Sequence, residues 1–339
     1  MKFKESHKIK ILVYSGGELI GDALYKLNFF YYLRFCFPKA SITYFAGQVK
    51  SEYFYSLKSI SNKLFDEMIE DINFGSKKNF LKDFFNKCPI DKEYDVLIDT
   101  QSDYRCSFVL KKIKAKIFIS YSLKWLLSDL KPKIRIIESL DDRLIKMVEM
   151  LNEYYKTNKP YIKNFPVNIT NEYDCLAEKI LPPKKEYFGI AVGAGDQRKI
   201  WPLENFIKIA NHYKLKFIPV FFLGPNENYL KEKIQKKVSN AIFPKTFSSG
   251  NYEDSGPLLV IALAKKLKFC ISNDSGVGHM FAMAKIPQVS LFSTSNYNKY
   301  CPLNPNLIIL DSKKWGSNRP EAIPVIEVIK ALDVFTQKI

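Results

Sequence analysis

The chain has 339 residues, of which 47% are apolar and 26% charged, and its formal net charge is +17. This length suits two domains of ordinary size, and this composition excludes a disordered chain. The basic balance favours a polyanionic partner. Because the lysines are spread out in short groups, it disfavours nucleic acid and leaves phosphorylated substrates and anionic membrane surfaces.

The cysteines and the apolar runs indicate in which cellular compartment the protein is expected. Six cysteines, at positions 36, 88, 106, 175, 270 and 301, form no CxxC pair and lie near no histidines at metal-ligand spacing. This pattern predicts reduced thiols in a cytoplasmic protein, with no metal site and no disulfide framework. We also expect no signal peptide, and no apolar run reaches the ~18 residues that span a bilayer.

The first half of the chain alternates predicted strands with predicted helices. KIKILVY is a predicted strand, SGGELIGD a glycine-bearing loop and ALYKLNFFYYLRFCF a helix that ends at Pro38. Further strands are SITYFAG, YDVLID (94–99) and KIFISY (116–121), and residues 141–157 form a long helix. This alternation predicts a parallel, doubly wound sheet.

Residues 158–186 carry four prolines and little sustained periodicity. We interpret them as the passage between two domains, since the alternative, a structureless loop of that length within one domain, is uncommon. After this passage the alternation resumes with the strands YFGIAV, KFIPVFFL, KFCIS and IPQVSLF. The predicted domains are two Rossmann-like halves, 1–165 and 166–320, followed by a C-terminal helix in 321–339 that packs back toward the N-terminal domain. A ligand is expected between the halves, at the carboxyl ends of the strands.

The segment SNDSGVGHMFAMAK follows one predicted strand and opens a helix near Gly276. Free backbone N–H groups and the positive end of the helix dipole favour an anion there, and Gly276 and Gly278 let a phosphate approach the backbone. His279 in the first turn can donate to a phosphate oxygen. The alternatives are that Asp274 and Ser275 cap the helix and that His279 is a packed interface histidine.

Two other strand–loop–helix segments carry candidate residues. In GAGDQRKIWP (193–202), Arg198 and Lys199 are placed for a phosphate, or form a solvated basic loop, and Trp201 packs to fix the loop. In SGGELIGDAL (15–24), Asp22 stands at a helix start, either as a cap or as a general base. The spacing is not GxGxxG and no acid follows the second strand, which disfavours a dehydrogenase.

These stretches together resemble glycosyltransferase family 9, the ADP-heptose:lipopolysaccharide heptosyltransferases. SGGELIGDAL is similar to the family's strand–loop ending in Gly-Asp, LIDTQSDYRCS to its Asp-x-Gln-Gly segment, and RKIWP to its Lys-x-Trp-Pro segment. FFLGPNE is similar to its Leu-Gly-Gly-x-x-Glu segment, and SNDSGVGHMFAMAKIPQVSLF to its Asn-Asp-Ser-Gly-x-x-His-x-Ala-x-Ala-x-x-x-Pro segment. The five segments occur in order over most of the chain.

The resemblance implies a GT-B fold, two Rossmann-like doubly wound domains facing a central cleft. It implies inverting transfer of a heptose from ADP-heptose to a hydroxyl of a lipopolysaccharide inner-core acceptor, with Asp22 as general base and no cofactor. The loops contain no DxD pair, so we expect no metal. The implied donor-binding residues are Lys199, Glu227, Asp274, Ser275, Gly276 and His279, and the implied acceptor-binding residues are Gly21, Gln101 and Arg105.

The acceptor would be a phosphorylated glycolipid at the cytoplasmic face of the inner membrane, with peripheral contact through the scattered lysines and the Lys/Phe/Tyr-rich region 50–90. Three departures from the family pattern bear on the acceptor and the sugar: SGGE at 15–18 lengthens the first loop, Ser102 replaces a glycine, and Gly278 is unusual. A transferase using a UDP- or GDP-hexose or hexosamine stays open, as does a non-catalytic glycan-binding relative, which the presence of Asp22 and Lys199 disfavours.

Overall fold

The computed structural model describes residues 8–162, 169–245 and 256–337. The chain divides into two compact units, Met1–Pro166 (unit 1) and Val167–Ile339 (unit 2). Each unit is built on a parallel sheet, so the predicted α/β class with two Rossmann-like halves is confirmed. Within the described ranges, no helix is both long enough and apolar enough to cross a bilayer.

Unit 1 holds a five-stranded sheet of order β3-β2-β1-β4-β5, in which every pairing is parallel. Its strands are β1 (Lys10–Ser15), β2 (Ser41–Ala46), β3 (Glu67–Ile69), β4 (Tyr94–Asp99) and β5 (Ala115–Ser120). Its helices are α1 (Ile20–Cys36), α2 (Lys58–Leu64), α3 (Phe80–Phe85), α4 (Tyr104–Leu110), α5 (Ser122–Trp125) and α6 (Leu140–Tyr155).

The central strand of unit 1 shows why the sequence folds this way. In β1, the run from Ile11 to Tyr14 is fully buried, as expected for a parallel strand covered on both faces. Helix α1 packs against α6, and most of its side chains are buried. The sheet therefore holds the loop between β1 and α1 at its carboxyl edge, where ligands bind in open α/β sheets.

Unit 2 repeats this plan with a parallel sheet of order β10-β9-β8-β6-β7. Its strands are β6 (Tyr187–Ala191), β7 (Ile218–Phe222), β8 (Leu267–Asn273), β9 (Gln288–Phe292) and β10 (Leu307–Asp311). Its helices are α7 (Asn171–Ile180), α8 (Leu203–Tyr213), α9 (Lys231–Lys237), α10 (Pro257–Ala264), α11 (Gly276–Met283), α12 (Tyr297–Tyr300) and α13 (Val325–Thr336).

Helix α7 lies within residues 158–186, the segment that the sequence analysis interpreted as the passage between two domains. Tyr173, Leu176, Ala177 and Ile180 follow the i, i+3, i+4, i+7 spacing of one helix face, and α7 packs against α10. All eight residues of α10 are buried, so this helix needs cover on every side. Two prolines on either side of so short a segment obscured its periodicity, and residues 163–168 of the passage lie outside the described residues.

The C-terminal helix α13 packs against α8 and β9 of unit 2, with Val328 and Leu332 in the core of that unit. The hydroxyl of Tyr213 on α8 donates to the carbonyl of Ile329 at 3.2 Å and to Oδ1 of Asp333 at 2.7 Å. The expected packing of residues 321–339 toward the N-terminal domain stays a prediction.

Candidate functional site

An ion pair joins two of the predicted donor motifs in unit 2. Lys199 follows β6 and Asp274 follows β8, and because parallel strands end at one edge of the sheet, their loops are neighbours. Nζ of Lys199 donates to Oδ2 of Asp274 at 2.7 Å, with side-chain exposures of 26% and 8%. The lysine is therefore held at the start of α11 and is still accessible to a ligand.

The backbone of the Lys199 loop is fixed to the same strand ends. The N–H of Trp201 donates to Oδ1 of Asn273 at 3.1 Å, and Nδ2 of Asn273 donates to the carbonyl of Val192 at 2.9 Å. Trp201 is fully buried, and its indole N–H donates to the carbonyl of Ile323 at 3.1 Å. These contacts agree with the packing role predicted for Trp201.

The Glu227 carboxylate lies where the loops after β6 and β7 meet. A Cβ atom built on Gly193 would stand 2.6 Å from Cδ of Glu227, and one built on Gly224 would stand 2.5 Å from its Oε2. A side chain at either glycine would have to displace this carboxylate, which is the end of a flexible side chain. Glu227 is thus the third predicted donor residue at this edge, beside the loops of Lys199 and Asp274.

At the start of α11, the structure separates the roles of Asp274 and Ser275. Ser275 is the N-cap residue with extended backbone, and its Oγ accepts from the N–H of Gly278 at 3.4 Å, so the capping alternative holds for Ser275. Asp274 instead binds Lys199. The other N–H groups of the first turn, which begins at Gly276, provide the donors that make helix starts bind anions.

Close packing between α11 and β8 favours glycine at position 278. A Cβ atom on Gly278 would lie 2.8 Å from Oγ of Ser272 and 3.2 Å from the carbonyl of Asn273, because α11 crosses β8 closely there. The approach of a phosphate to the backbone at Gly278 stays a prediction. His279 is half-buried, and its backbone N–H donates to the carbonyl of Ser275 at 3.3 Å.

Arg198 and Lys199 have different partners. The guanidinium of Arg198 makes a forked contact with Asp196 in its own loop, with Nη2 to Oδ2 at 2.7 Å, and is 78% exposed. Hydrogen bonds from Arg198 lower the pKa of Asp196 to about 2. Only the lysine of the pair therefore bonds to Asp274.

In unit 1, Gly21 and Asp22 lie in the first turn of α1. The N-cap of this helix is Leu19, which offers no side-chain cap, and the Asp22 carboxylate is exposed. An acid there interacts favourably with the helix dipole. The position also leaves the carboxylate accessible to a hydroxyl group of a substrate.

A buried ion pair that the sequence analysis missed joins the loop between β1 and α1 to helix α1. Glu18 is 1% exposed and Lys26 is 6% exposed, and Nζ of Lys26 lies 2.7 Å from Oε1 of Glu18. The pair has hydrogen-bond partners on β1, on β2, and in the loops after β2 and β4, namely Ser15, Tyr44, Ser51 and Thr100. A lysine inside an otherwise apolar helix, ALYKLNFF, was the available signal.

The loop after β4 is held by a second buried carboxylate. Asp99 is fully buried, with Oδ1 accepting from the N–H of Gln101 at 2.9 Å and Oδ2 accepting from the hydroxyls of Ser107 at 2.6 Å and Ser120 at 2.9 Å. Burial raises the pKa of Asp99 to about 6, against these hydrogen bonds, which lower it. Gln101 is thereby fixed at the carboxyl edge of the sheet.

Two glutamine side chains meet over Gly16. A Cβ atom on this glycine would lie 3.4 Å from Nε2 of Gln101 and 3.5 Å from Cδ of Gln48. Gln101 was predicted and Gln48 was not. Arg105, the other predicted acceptor residue, lies in the first turn of α4, where its Nε donates to the hydroxyl of Tyr104 at 3.3 Å.

A cavity of about 240 Å³ opens at the same edge of unit 1, beside the ends of β2 and β3. Its lining is mixed, polar and apolar, and comes from Ala46, Gln48, Val49, Lys50, Asp71, Ile72 and Asn73. None of these residues was singled out from the sequence, because their side chains converge only through the pairing of β2 with β3.

The chain has two Rossmann-like units, and in unit 2 a loop suited to binding an anion lies at the carboxyl edge of the sheet. This architecture is typical of nucleotide-binding α/β proteins. Residues 90–322 match the sequence model of glycosyltransferase family 9 (heptosyltransferase), and the chain belongs to this family. The matched range contains Lys199, Glu227 and the segment 274–279, and it begins after Asp22.

Individual relatives agree with the family. The chain is 21% identical over 291 residues, 84% of its own length and 79% of the relative's, to the lipopolysaccharide core heptosyltransferase OpsX of Haemophilus influenzae. A family 9 glycosyltransferase structure from Veillonella parvula matches with a TM-score of 0.70 at 21% identity, covering 99% of both chains. The E. coli heptosyltransferase WaaC with ADP matches with a TM-score of 0.66 at 14% identity, over 96% of this chain and 99% of that one. At these identities the structural matches show the fold.

Proposed function

We propose that the protein is an inverting glycosyltransferase that moves a heptose from ADP-heptose to a hydroxyl of a lipopolysaccharide inner-core acceptor. Family membership supports heptosyl transfer, and the Haemophilus relative is named for the lipopolysaccharide core. Neighbouring structures include WaaC with ADP and with ADP-2-deoxy-2-fluoro heptose. The observation that carries the proposal is the Lys199–Asp274 ion pair at the start of α11, with Glu227 at the same sheet edge.

The donor side would work by charge stabilisation. When the bond between the anomeric carbon and the diphosphate breaks, negative charge develops on the departing diphosphate, and a fixed ammonium group with a helix N-terminus stabilises it. Lys199 supplies the ammonium group and α11 supplies the N–H groups. Ser275, Gly276 and His279 would complete the phosphate and sugar pocket, and Glu227 would bind the ribose. We propose that this chemistry proceeds without a metal.

The acceptor side would work by proton removal. The exposed Asp22 carboxylate in the first turn of α1 would take the proton from the attacking hydroxyl, a step that typically contributes ~10²–10⁴-fold to the rate. Direct attack on the anomeric carbon gives inversion. Gly21 and Gln101 would position the acceptor, and Arg105 would bind its phosphate or carboxylate. The setting we propose is the cytoplasmic face of the inner membrane, with a phosphorylated glycolipid as acceptor.

Calorimetry with ADP, UDP and GDP, followed by a transfer assay with ADP-heptose and a heptose-free inner-core acceptor, tests the proposal. Selective ADP binding with heptose transfer is the expected result. Preference for UDP or GDP would indicate that the donor is a UDP- or GDP-hexose or hexosamine instead of ADP-heptose, and would leave the fold assignment unchanged. Absence of nucleotide binding would overturn the proposal in favour of a non-catalytic glycan-binding relative.

A further inference from the structure

Helix α3 of unit 1 presents large apolar side chains to solvent. Leu81 is 68% exposed, Phe84 is 49% exposed and Phe85 is 79% exposed. The rings of Phe84 and Phe85 pack edge to face at 5.3 Å, while Phe80 packs inward against the unit 1 core. A helix that already covers the core with one side has no folding reason for apolar residues on its other side, and clustered exposed apolar groups mark interaction surfaces.

The surroundings of this apolar face are cationic. The exposed lysines before, within and after α3 are Lys77, Lys78, Lys82 and Lys87. Asp83 is the one acidic residue in 72–90, a range that the structure describes completely. Asp83 is 4% exposed, and its carboxylate accepts from the N–H of Gly75 at 2.9 Å. This carboxylate is therefore buried, whereas the lysines are exposed to solvent. The segment therefore combines exposed apolar side chains with exposed lysines.

The exposed face is also held in place. Nζ of Lys112 donates to the carbonyls of Asp83 and Phe84, both at 2.9 Å, and to that of Asn86, at the carboxyl end of α3. A cation there satisfies the last carbonyls and opposes the helix dipole. Helix α3 packs against α4, the helix that carries the predicted acceptor residue Arg105.

We propose that α3 docks unit 1 onto an anionic lipid bilayer, with Leu81, Phe84 and Phe85 in the interface and the four lysines on the headgroups. Aromatic and aliphatic groups flanked by lysines are the composition of interfacial membrane segments, and each basic residue adds attraction to anionic lipid. This inference deepens the proposed function, since a glycolipid acceptor requires the enzyme at such a surface. It can fail or hold separately, because vesicle binding needs neither donor nor acceptor.

Vesicle co-sedimentation of the full-length protein tests the docking. The vesicles are phosphatidylcholine alone and phosphatidylcholine with one third phosphatidylglycerol, each at low and high salt. The test variants are Leu81→Ser/Phe84→Ser/Phe85→Ser and Lys77→Gln/Lys78→Gln/Lys82→Gln/Lys87→Gln. The matched controls in unit 2 are Leu215→Ser/Tyr229→Ser, at exposures of 93% and 78%, and Lys208→Gln/Lys214→Gln/Lys216→Gln/Lys236→Gln.

We expect wild type to bind the anionic vesicles and to release at high salt. The serine variant should bind at least about tenfold more weakly, and the glutamine variant about 1,000-fold more weakly, with both controls within about twofold of wild type. A Phe85→Trp variant should shift its emission to the blue on anionic vesicles. Equal binding to both vesicle types, undiminished binding by the α3 variants, or equal losses in the controls would each overturn the proposal.

The outcome is separable from the proposed function. Both α3 variants should keep wild-type ADP affinity, which also verifies that they fold. If wild type binds no nucleotide but docks as expected, the transferase proposal fails and the docking proposal stands. If the serine variant changes only the oligomeric state and leaves vesicle binding unchanged, the face contacts protein and the docking proposal is wrong.

Discussion

Nζ of Lys199 lies 2.7 Å from Oδ2 of Asp274, so the loop after β6 is bonded to the residue that precedes the N-cap of α11. The two residues are 75 positions apart in the chain. Asp274 balances the lysine charge and fixes it beside the free N–H groups of the helix. A diphosphate that binds at the helix start would therefore meet an ammonium group already in place.

Removing the Lys199 ammonium group should weaken ADP binding without disturbing the fold. A hydrogen bond to a charged group contributes about 1.5–3 kcal/mol, so Lys199→Ala should lower ADP affinity by roughly 10- to 100-fold in calorimetry. Lys208→Ala removes an exposed lysine from α8 and serves as the charge-matched control. Unchanged ADP affinity in Lys199→Ala would contradict the donor role.

The meeting of the Lys199 and Asp274 loops at one sheet edge could be predicted because its information is local. Strand, loop and helix start follow one another within a few residues in GAGDQRKIWP and SNDSGVGHM, and parallel topology then brings their ends together. Partner choice could not be predicted: Arg198 bonds to Asp196 two residues away, and Lys199 bonds to Asp274. The Glu18–Lys26 pair was equally out of reach, since its partners come from strands and loops far apart in the chain.

The exposed Asp22 carboxylate should be required for turnover and not for folding. Asp22→Asn keeps the shape and loses the base, so kcat should fall by about 10²–10⁴-fold while the melting temperature stays near that of wild type. Glu172→Gln is the control, because Glu172 is an exposed acid in the first turn of α7. Wild-type kcat in Asp22→Asn, on a donor and acceptor that wild type uses, would exclude the assigned role.

The buried Asp99 should make the stability of unit 1 depend on pH. Its pKa is about 6 in the folded chain against an ordinary 3.8, so between these values the folded state holds a proton that the unfolded state has lost. The Asp99 contribution to the free energy of unfolding is therefore largest near pH 4 and falls as pH rises to about 6.

Asp99→Asn removes this dependence. From pH 4 to pH 7, the unfolding free energy of wild type should decline relative to Asp99→Asn by roughly 3 kcal/mol, measured by urea unfolding. Asp91→Asn changes a carboxylate that is 81% exposed and is the control. A difference between wild type and Asp99→Asn that stays constant over this range, or that grows in the opposite direction, would show that Asp99 does not titrate as stated.

The Glu18–Lys26 pair should behave as a unit that holds the loop between β1 and α1, which leads to Asp22. Because each charge is buried, removing one partner leaves the other uncompensated, and Glu18→Gln and Lys26→Met should each destabilise by about 3–5 kcal/mol. The double variant should cost clearly less than the sum of the single variants, since no buried charge is left over. Urea unfolding of the four proteins gives the coupling energy.

A second cycle on the exposed Glu327–Lys330 pair of α13, with side chains 36% and 65% exposed, is the matched control, and its coupling should not exceed about 0.5 kcal/mol. A positioning role predicts a further result: the double variant, once folded, should regain donor affinity in full and kcat only in part. The donor residues lie in unit 2, whereas Ser15 and Thr100, which flank the Asp22 and Gln101 loops, bond to Lys26. Additive destabilisation in the first cycle would show that the two residues are not coupled. Full recovery of kcat in the double variant would show that the pair does not position the site.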